Sequence, residues 1–193
     1  MGWPLVRSSG VSEAVAERIG PAFEGPAEAR PSEAFEALYR RAFPRVYGYV
    51  ATLLGDRAAA EDVTAQAFER AFRKARAYDP RRGGERAWLF GIARHAALDE
   101  LRRRKRRARL EAEPEDAAVA GVGELAEHAL RRETVRAALE RLEPRELELV
   151  ALKFAGGLSN EEIARVVGIS ASNAGTRLHR TLQKLRRECD EDA

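Results

Sequence analysis

Residues 87–109 read AWLFGIARHAALDELRRRKRRAR, and the order of residue types in this stretch decides the fold class. At about 100° per residue, Leu89, Ile92, Ala93, Ala96 and Ala97 fall on one broad apolar arc, with Phe90 and Leu101 on its flank. Trp88, His95, Asp99 and Arg102 lie within roughly 60° of one another on a different face. The spacing predicts a helix that buries one side and offers an aromatic ring, two hydrogen-bonding groups and a cation on the other. Such a face suits nucleic acid, where phosphates need charge and unstacked bases need an aromatic platform. The stretch ends in six consecutive cations, Arg102 to Arg107, which repel one another unless a polyanion is near.

Charge is segregated along the chain. Its 193 residues carry a net charge of only +3, yet residues 70–109 hold 15 Lys and Arg against 4 Asp and Glu. Residues 110–128 hold 6 acidic residues and no Lys or Arg. A basic block followed by an acidic one implies a polyanion-binding surface joined to a segment that must stay off it. At 45% apolar and 34% charged, the composition is that of globular material in one or two small domains. One cysteine, Cys189, and three scattered histidines give neither a disulfide framework, a zinc site nor a catalytic dyad, so no metal, cofactor, small-molecule substrate or enzymatic activity is expected. No apolar run approaches the ~18 residues of a membrane span, and the N-terminus lacks the layout of a signal peptide. The expectation is a cytoplasmic protein without membrane contact.

Outward from the opening stretch, every periodic segment is helical, and no strand-like alternation persists. The predicted fold is all-α, two small helical domains joined by a flexible acidic linker. Residues 1–31, punctuated by Gly and Pro, read as a flexible extension with a short helix possible over Ser12 to Ile19. Ser32 is placed to cap a helix carrying Phe35, Leu38, Tyr39, Phe43, Val46, Val50 and Leu53, which Pro44 kinks or divides before Gly55 ends it. The next helix, residues 56–78, sets Val63, Ala67, Phe68, Ala71 and Phe72 to the inside. Its other face shows Glu61, Asp62, Gln66, Glu69 and Arg73; pattern alone does not separate a solvated face from a functional one. A basic Gly-rich loop with Arg81 and Arg82 leads into the Trp88 helix. The domains are expected at 32–109 and 129–188, with the linker at 110–128 and a tail at 189–193. In the second, Val135, Leu139 and Leu142 form one stripe, and Leu147, Val150, Ala151 and Phe154 another.

Residues 158–188 read LSNEEIARVVGISASNAGTRLHRTLQKLRRE. Ser159 with Glu162 is a capping-box pair, Gly168 stands where a tight interhelical turn needs positive φ, and Ser170 can cap the next helix. Ala174, Leu178, Leu182 and Leu185 face inward. Helix, Gly turn and longer helix make a helix-turn-helix, whose second helix enters the DNA major groove by its N-terminal end. Ser172, Asn173, Thr176, Arg177, Arg180 and Lys184 are its candidate DNA contacts. Asn pairs bidentately with adenine and Arg with guanine, whereas phosphate contacts alone give no sequence preference.

The segments DRAAAEDVTAQAFERAFRKA (56–75), AWLFGIARHAALDELRRRKRR (87–107) and LEPRELELVALKFAGGLSNEEIARVVGISASNAGTRLHRTLQKLRR (142–187), in this order, resemble conserved regions two and four of the extracytoplasmic-function (ECF) group of bacterial sigma factors. The resemblance covers roughly residues 34–187. It implies that Glu61, Asp62, Gln66, Glu69 and Arg73 dock on core RNA polymerase, at the clamp of β′, with β also a partner. It implies that Arg81, Arg82, Trp88, His95, Asp99, Arg102 and Arg103 engage and open the −10 element, that the last helix reads the −35 element of promoter DNA, and that the linker follows the RNA path. An anti-sigma factor is an implied partner. Glu85, His95, Asn173 and Gly175 depart from residues common in the family and point to an unusual promoter preference. Trp88 has two readings, a base-stacking platform or a ring packed beneath the DNA face; Asp99 can equally pair with Arg103. Two other functions fit the residues less well: a stand-alone helix-turn-helix regulator with a sensor half, and an RNA-binding or scaffolding protein whose binding fades steeply with salt.

Overall fold

The computed structural model describes residues 33–75, 78–110 and 126–191, and among them there are seven α-helices and no strand. They are α1 (Glu33–Leu54), α2 (Arg57–Lys74), α3 (Glu85–Leu110), α4 (Ala126–Glu140), α5 (Pro144–Phe154), α6 (Asn160–Val167) and α7 (Ala171–Glu191), with a 3-10 turn at Pro80–Arg82 before α3. The expected cap at Ser32, the helix over Ser12 to Ile19 and most of the acidic linker lie outside the described residues. Helix α4 starts at Ala126, three residues earlier than the boundary expected at 129.

The N-terminal half is a three-helix packing of α1, α2 and α3. Its core takes Val46, Val50, Val63, Ala67, Phe68 and Ala71 from the first two helices and Leu89, Phe90, Ala93, Ala96 and Ala97 from the third, all buried. The apolar arc read from residues 87–109 is therefore the buried one. Pro44 does not divide α1, which runs unbroken past it. Proline deletes one ladder hydrogen bond, and both Pro44 and Arg40 lie on the exposed side of the helix. The turn into α2 is built from Gly55 at φ 63° and from Asp56, whose carboxylate accepts from the Ala59 N–H at 3.2 Å.

The C-terminal half packs α4, α5 and α6 around α7. The two sequence stripes hold in part: Leu142, Val150 and Ala151 are buried, together with Ala138, Glu148, Leu149 and Leu152, whereas Val135 is 44% exposed and Phe154 64% exposed. Helix α5 is covered on two sides, by its own half and by α1, so its buried arc is wider than the stripe that one covered face would give, and Phe154 lies outside it. Gly168 takes φ 78°, as the helix-turn-helix requires, and Ser159 and Glu162 form the reciprocal capping box.

The two halves do not stand apart. Helix α5 packs on α1 and α6 packs on α3, and one continuous apolar core runs through both halves.

Candidate nucleic-acid and polymerase interfaces

The three expected faces lie on three different helices. On α7, Ser172, Asn173, Thr176, Arg177 and Arg180 are all exposed, lifted clear by Ala174 and Leu178, which are buried against the preceding helices. Ser170 accepts from the Asn173 N–H at 3.2 Å and so fixes the start of the helix. Arg177 Nε donates to Asn173 Oδ1 at 2.9 Å, which aligns the guanidinium with the carboxamide and leaves the Asn173 NH2 pointing outward as a donor. Gly175 costs helix propensity, but a Cβ there would come within 3.3 Å of the Asn160 side-chain nitrogen. Its absence lets the start of α6 sit close to α7. Lys184 differs from the other candidates. Its ammonium donates to Glu146 at 2.9 Å and ties α7 to α5; that bond holds the Glu146 carboxyl below its ordinary pKa and the Lys184 ammonium above its own.

On α3, His95, Asp99, Arg102 and Arg103 are exposed on one side of the helix. The His95 Nδ1–H donates to the Gly91 carbonyl at 2.6 Å, which orients the ring. Asp99 pairs with Arg102 at 2.9 Å rather than with Arg103, which pairs with Glu100 at 2.7 Å. Trp88 is half-buried, packed on the core with the Tyr78 ring 5.2 Å away at 49°. Its ring is thus partly packed and partly open to solvent. The loop before α3 is shaped by Asp79, which accepts from the Arg81 N–H at 2.9 Å, and by Tyr78, whose hydroxyl donates to the Gly83 carbonyl at 3.1 Å. Arg81 is exposed; the side chain of Arg82 lies outside the described residues.

On α2, Asp62, Glu69 and Arg73 are exposed and Glu61 and Gln66 half-exposed, with Glu69 paired to Arg73. The first large contacts of α2 are with α1 and α3, on its opposite side.

Several residues at work here were not legible in the sequence. Arg104, in the middle of the cationic run, folds back to donate to the Leu54 carbonyl at 3.1 Å, to Asp56 at 2.9 Å and to Glu100 at 3.2 Å. It closes the C-terminal end of α1, and the run of six identical charges gave no sign of which one would. The Ala59 N–H first, then Arg104, holds the Asp56 carboxyl below the ordinary carboxylate range. Arg94 reaches from α3 to α5, where its Nε and NH2 meet Glu148 at 2.8 and 3.2 Å beneath the Tyr49 hydroxyl. Burial first, then the Glu148 charge, pushes the Tyr49 phenol far above its ordinary pKa, so it stays a neutral donor. Arg86 donates to the Gly156 carbonyl at 2.9 Å and also to that of Gly157. An open cleft of about 550 Å3 lies beside these contacts, floored by Leu38, Ala42 and Phe90 and rimmed by Arg41, Arg45 and Arg86.

The comparisons with known proteins agree with this arrangement. Residues 38–107 match the model of sigma-70 region 2, and residues 132–185 match that of sigma-70 region 4. The chain is 37% identical over 158 residues to the RNA polymerase sigma factor CarQ of Myxococcus xanthus, covering 80% of this chain and 88% of CarQ. It is 35% identical over 167 residues to the ECF RNA polymerase sigma factor SigE of Mycolicibacterium smegmatis, covering 84% of this chain and 63% of SigE. In fold it is similar to the sigma factor RpoE of Bartonella quintana, solved in complex with the anti-sigma factor NepR. That likeness has a TM-score of 0.70 at 22% identity and covers 83% of this chain and 99% of RpoE. With both regions present in order, and with a relative 37% identical that is covered over 88% of its length, the chain belongs to the ECF group of sigma-70-type RNA polymerase sigma factors.

Proposed function

We propose that this sigma factor recruits core RNA polymerase through the polar face of α2, opens the −10 element with α3 and the loop before it, and reads the −35 element as duplex with α7. The observation that carries this reading is the division of labour on one chain. A basic helix with a half-buried aromatic and an exposed histidine precedes a separate helix-turn-helix with an exposed polar and basic recognition face. Single-stranded bases need the first and a major groove needs the second. Glu61, Asp62, Gln66, Glu69 and Arg73 are assigned to the β′ clamp because they face away from α1 and α3. Arg81, Arg82, Trp88, His95, Asp99, Arg102 and Arg103 are assigned to the −10 strand, and Ser172, Asn173, Thr176, Arg177 and Arg180 to the −35 groove. Lys184 is assigned to the α5–α7 joint instead, because its ammonium is already bound.

The working units are 32–109 and 129–188, with residues 110–128 as the connection between them. The function is that of a transcription factor with no catalytic step of its own, working beside RNA polymerase in the bacterial cytoplasm; among the described residues no helix is long and apolar enough to cross a membrane. The complex of RpoE with NepR supports an anti-sigma factor as a further partner. Charge reversal at Asp62 combined with Gln66→Lys tests the docking face. The variant should melt like the parent and lose co-purification with core polymerase; retained co-purification would move the docking site elsewhere.

A further inference from the structure

Every described residue that lines the open cleft belongs to α1 or to the start of α3, and the lining divides into two kinds of surface. Leu38 and Ala42, one helical turn apart on α1, make an apolar floor with Phe90 of α3. Arg41 and Arg45, also one turn apart on α1, stand around it with Arg86 of α3. Glu85 is the one carboxylate among the described lining residues. Gly84 forms part of the wall, and a Cβ there would meet nothing within 4 Å, so that side is open. At about 550 Å3 the cleft has the size of a small-molecule site, and an apolar floor with a few convergent polar groups is the usual lining of one.

The three guanidiniums are under-matched. The Arg41–Glu85 pair is 3.4 Å long and both side chains are well exposed, so it is weak and exchanges readily for a stronger partner. Among the described residues Arg86 donates only through Nη2, to the Gly156 and Gly157 carbonyls, which leaves Nε and Nη1 for another acceptor. A Cβ on Gly157 would stand 3.2 Å from the Arg86 Nη2 and 3.3 Å from the Arg45 Cζ, so these two guanidiniums converge on one point. Neither has an acidic partner among the described residues. Like charges held this close repel until an anion joins them. Three arginines against one glutamate leave the lining two charges positive, which a dianion matches. Each planar fork suits a phosphate, whose three oxygens accept from several donors at once.

We propose that the cleft binds a free nucleoside monophosphate, with its phosphate on Arg45, Arg86 and Arg41 and its base on the floor of Leu38, Ala42 and Phe90. A phosphate alone leaves the floor open to water, and a nucleoside alone leaves the cations unmatched; a nucleotide covers both. Glu85 adds an acceptor at the rim for an amino group of the base once Arg41 has turned to the phosphate. The wall from Gly84 to Arg86 leads into α3 and Trp88, so an occupied cleft fixes the entry to the face assigned to the −10 strand. That consequence rests on the sigma reading above; the binding itself does not.

Calorimetric titration of the full chain at neutral pH and about 0.15 M salt tests the site, with AMP and GMP as probes and adenosine, ribose 5-phosphate and inorganic phosphate as controls. At least one nucleotide should bind, one per chain, and each control should bind about tenfold more weakly or worse. Arg45→Ala, at an exposed position, should weaken the nucleotide about tenfold or more. Gly84→Trp should abolish binding by filling the cleft from its open wall while the circular dichroism spectrum stays that of the parent. Nucleotides that do not bind, or that bind the folded Gly84→Trp variant as tightly as the parent, would overturn the proposal. Inorganic phosphate that binds as well as a nucleotide would reduce the cleft to an adventitious anion site and overturn it equally. A single-stranded oligonucleotide that loses affinity on Arg45→Ala, with no mononucleotide binding, would make the cleft part of the DNA path instead. The titrations contain neither polymerase nor promoter, so their failure leaves the sigma reading standing, and a protein that starts no transcripts leaves the site to be judged by calorimetry.

Discussion

Arg104→Ala separates structure from electrostatics inside the cationic run. The Arg104 guanidinium makes three contacts, at 3.1 Å to the Leu54 carbonyl, 2.9 Å to Asp56 and 3.2 Å to Glu100. Hydrogen bonds to charged partners contribute roughly 1.5–3 kcal/mol each when desolvated. Arg104 and Asp56 keep 28% and 40% of their side-chain exposure, so water screens the pair and the low end applies. The expected cost is about 2 kcal/mol, a fall in melting temperature of roughly 4–8 °C for a chain of this size. Arg106→Ala, at an exposed position, should stay within about 0.5 kcal/mol of the parent. Thermal melts followed by circular dichroism at neutral pH make the comparison. The Asp56 carboxyl titrates below its unfolded value, so its contribution is full above the unfolded pKa of about 3.9 and is lost as pH falls through the lower folded value. The Arg104→Ala deficit should therefore shrink in acid. Equal melting of the Arg104 and Arg106 variants at neutral pH would refute the assignment of Arg104 to the α1–α3 joint.

Arg177→Ala should weaken binding by about 1–3 kcal/mol at one base pair of the −35 site; an equal loss on all sequences, measured by competition binding, would make it a phosphate contact. Lys184→Met should lower thermal stability and leave the ranking of −35 sequences unchanged, because its ammonium serves Glu146; a changed ranking would return it to the DNA face. Gly168→Ala meets no neighbouring atom but demands φ 78°, so it should cost about 1–2 kcal/mol through the backbone alone; a melt identical to the parent would contradict that.

The parts of the fold that follow from local periodicity were legible in the sequence. The arc of Leu89, Ala93, Ala96 and Ala97, the Ser159–Glu162 capping box and the turn at Gly168 each need only residues within one or two helical turns, and each stands where its spacing put it. Pairings over longer distances left no such trace. Glu148 sits on an otherwise apolar stripe of α5 and looks like an ordinary surface carboxylate until Arg94, 54 residues earlier, arrives to neutralise it. Phe154 has the spacing of a core residue and yet faces water, because α5 is buried by two elements whose positions its own residues do not encode. Among the site residues, exposure of the α7 face follows from amphipathicity, whereas the occupation of Lys184 by Glu146 depends on how α5 crosses α7.

The most direct measurement is transcription by purified core RNA polymerase on a library of genomic fragments, with and without this protein, read by sequencing transcript 5′ ends. The account predicts protein-dependent starts at a few sites that share two sequence blocks upstream, and their loss when Trp88 and His95 are both replaced by Ala. Protein that retards duplex DNA while core polymerase starts no new transcripts would contradict it.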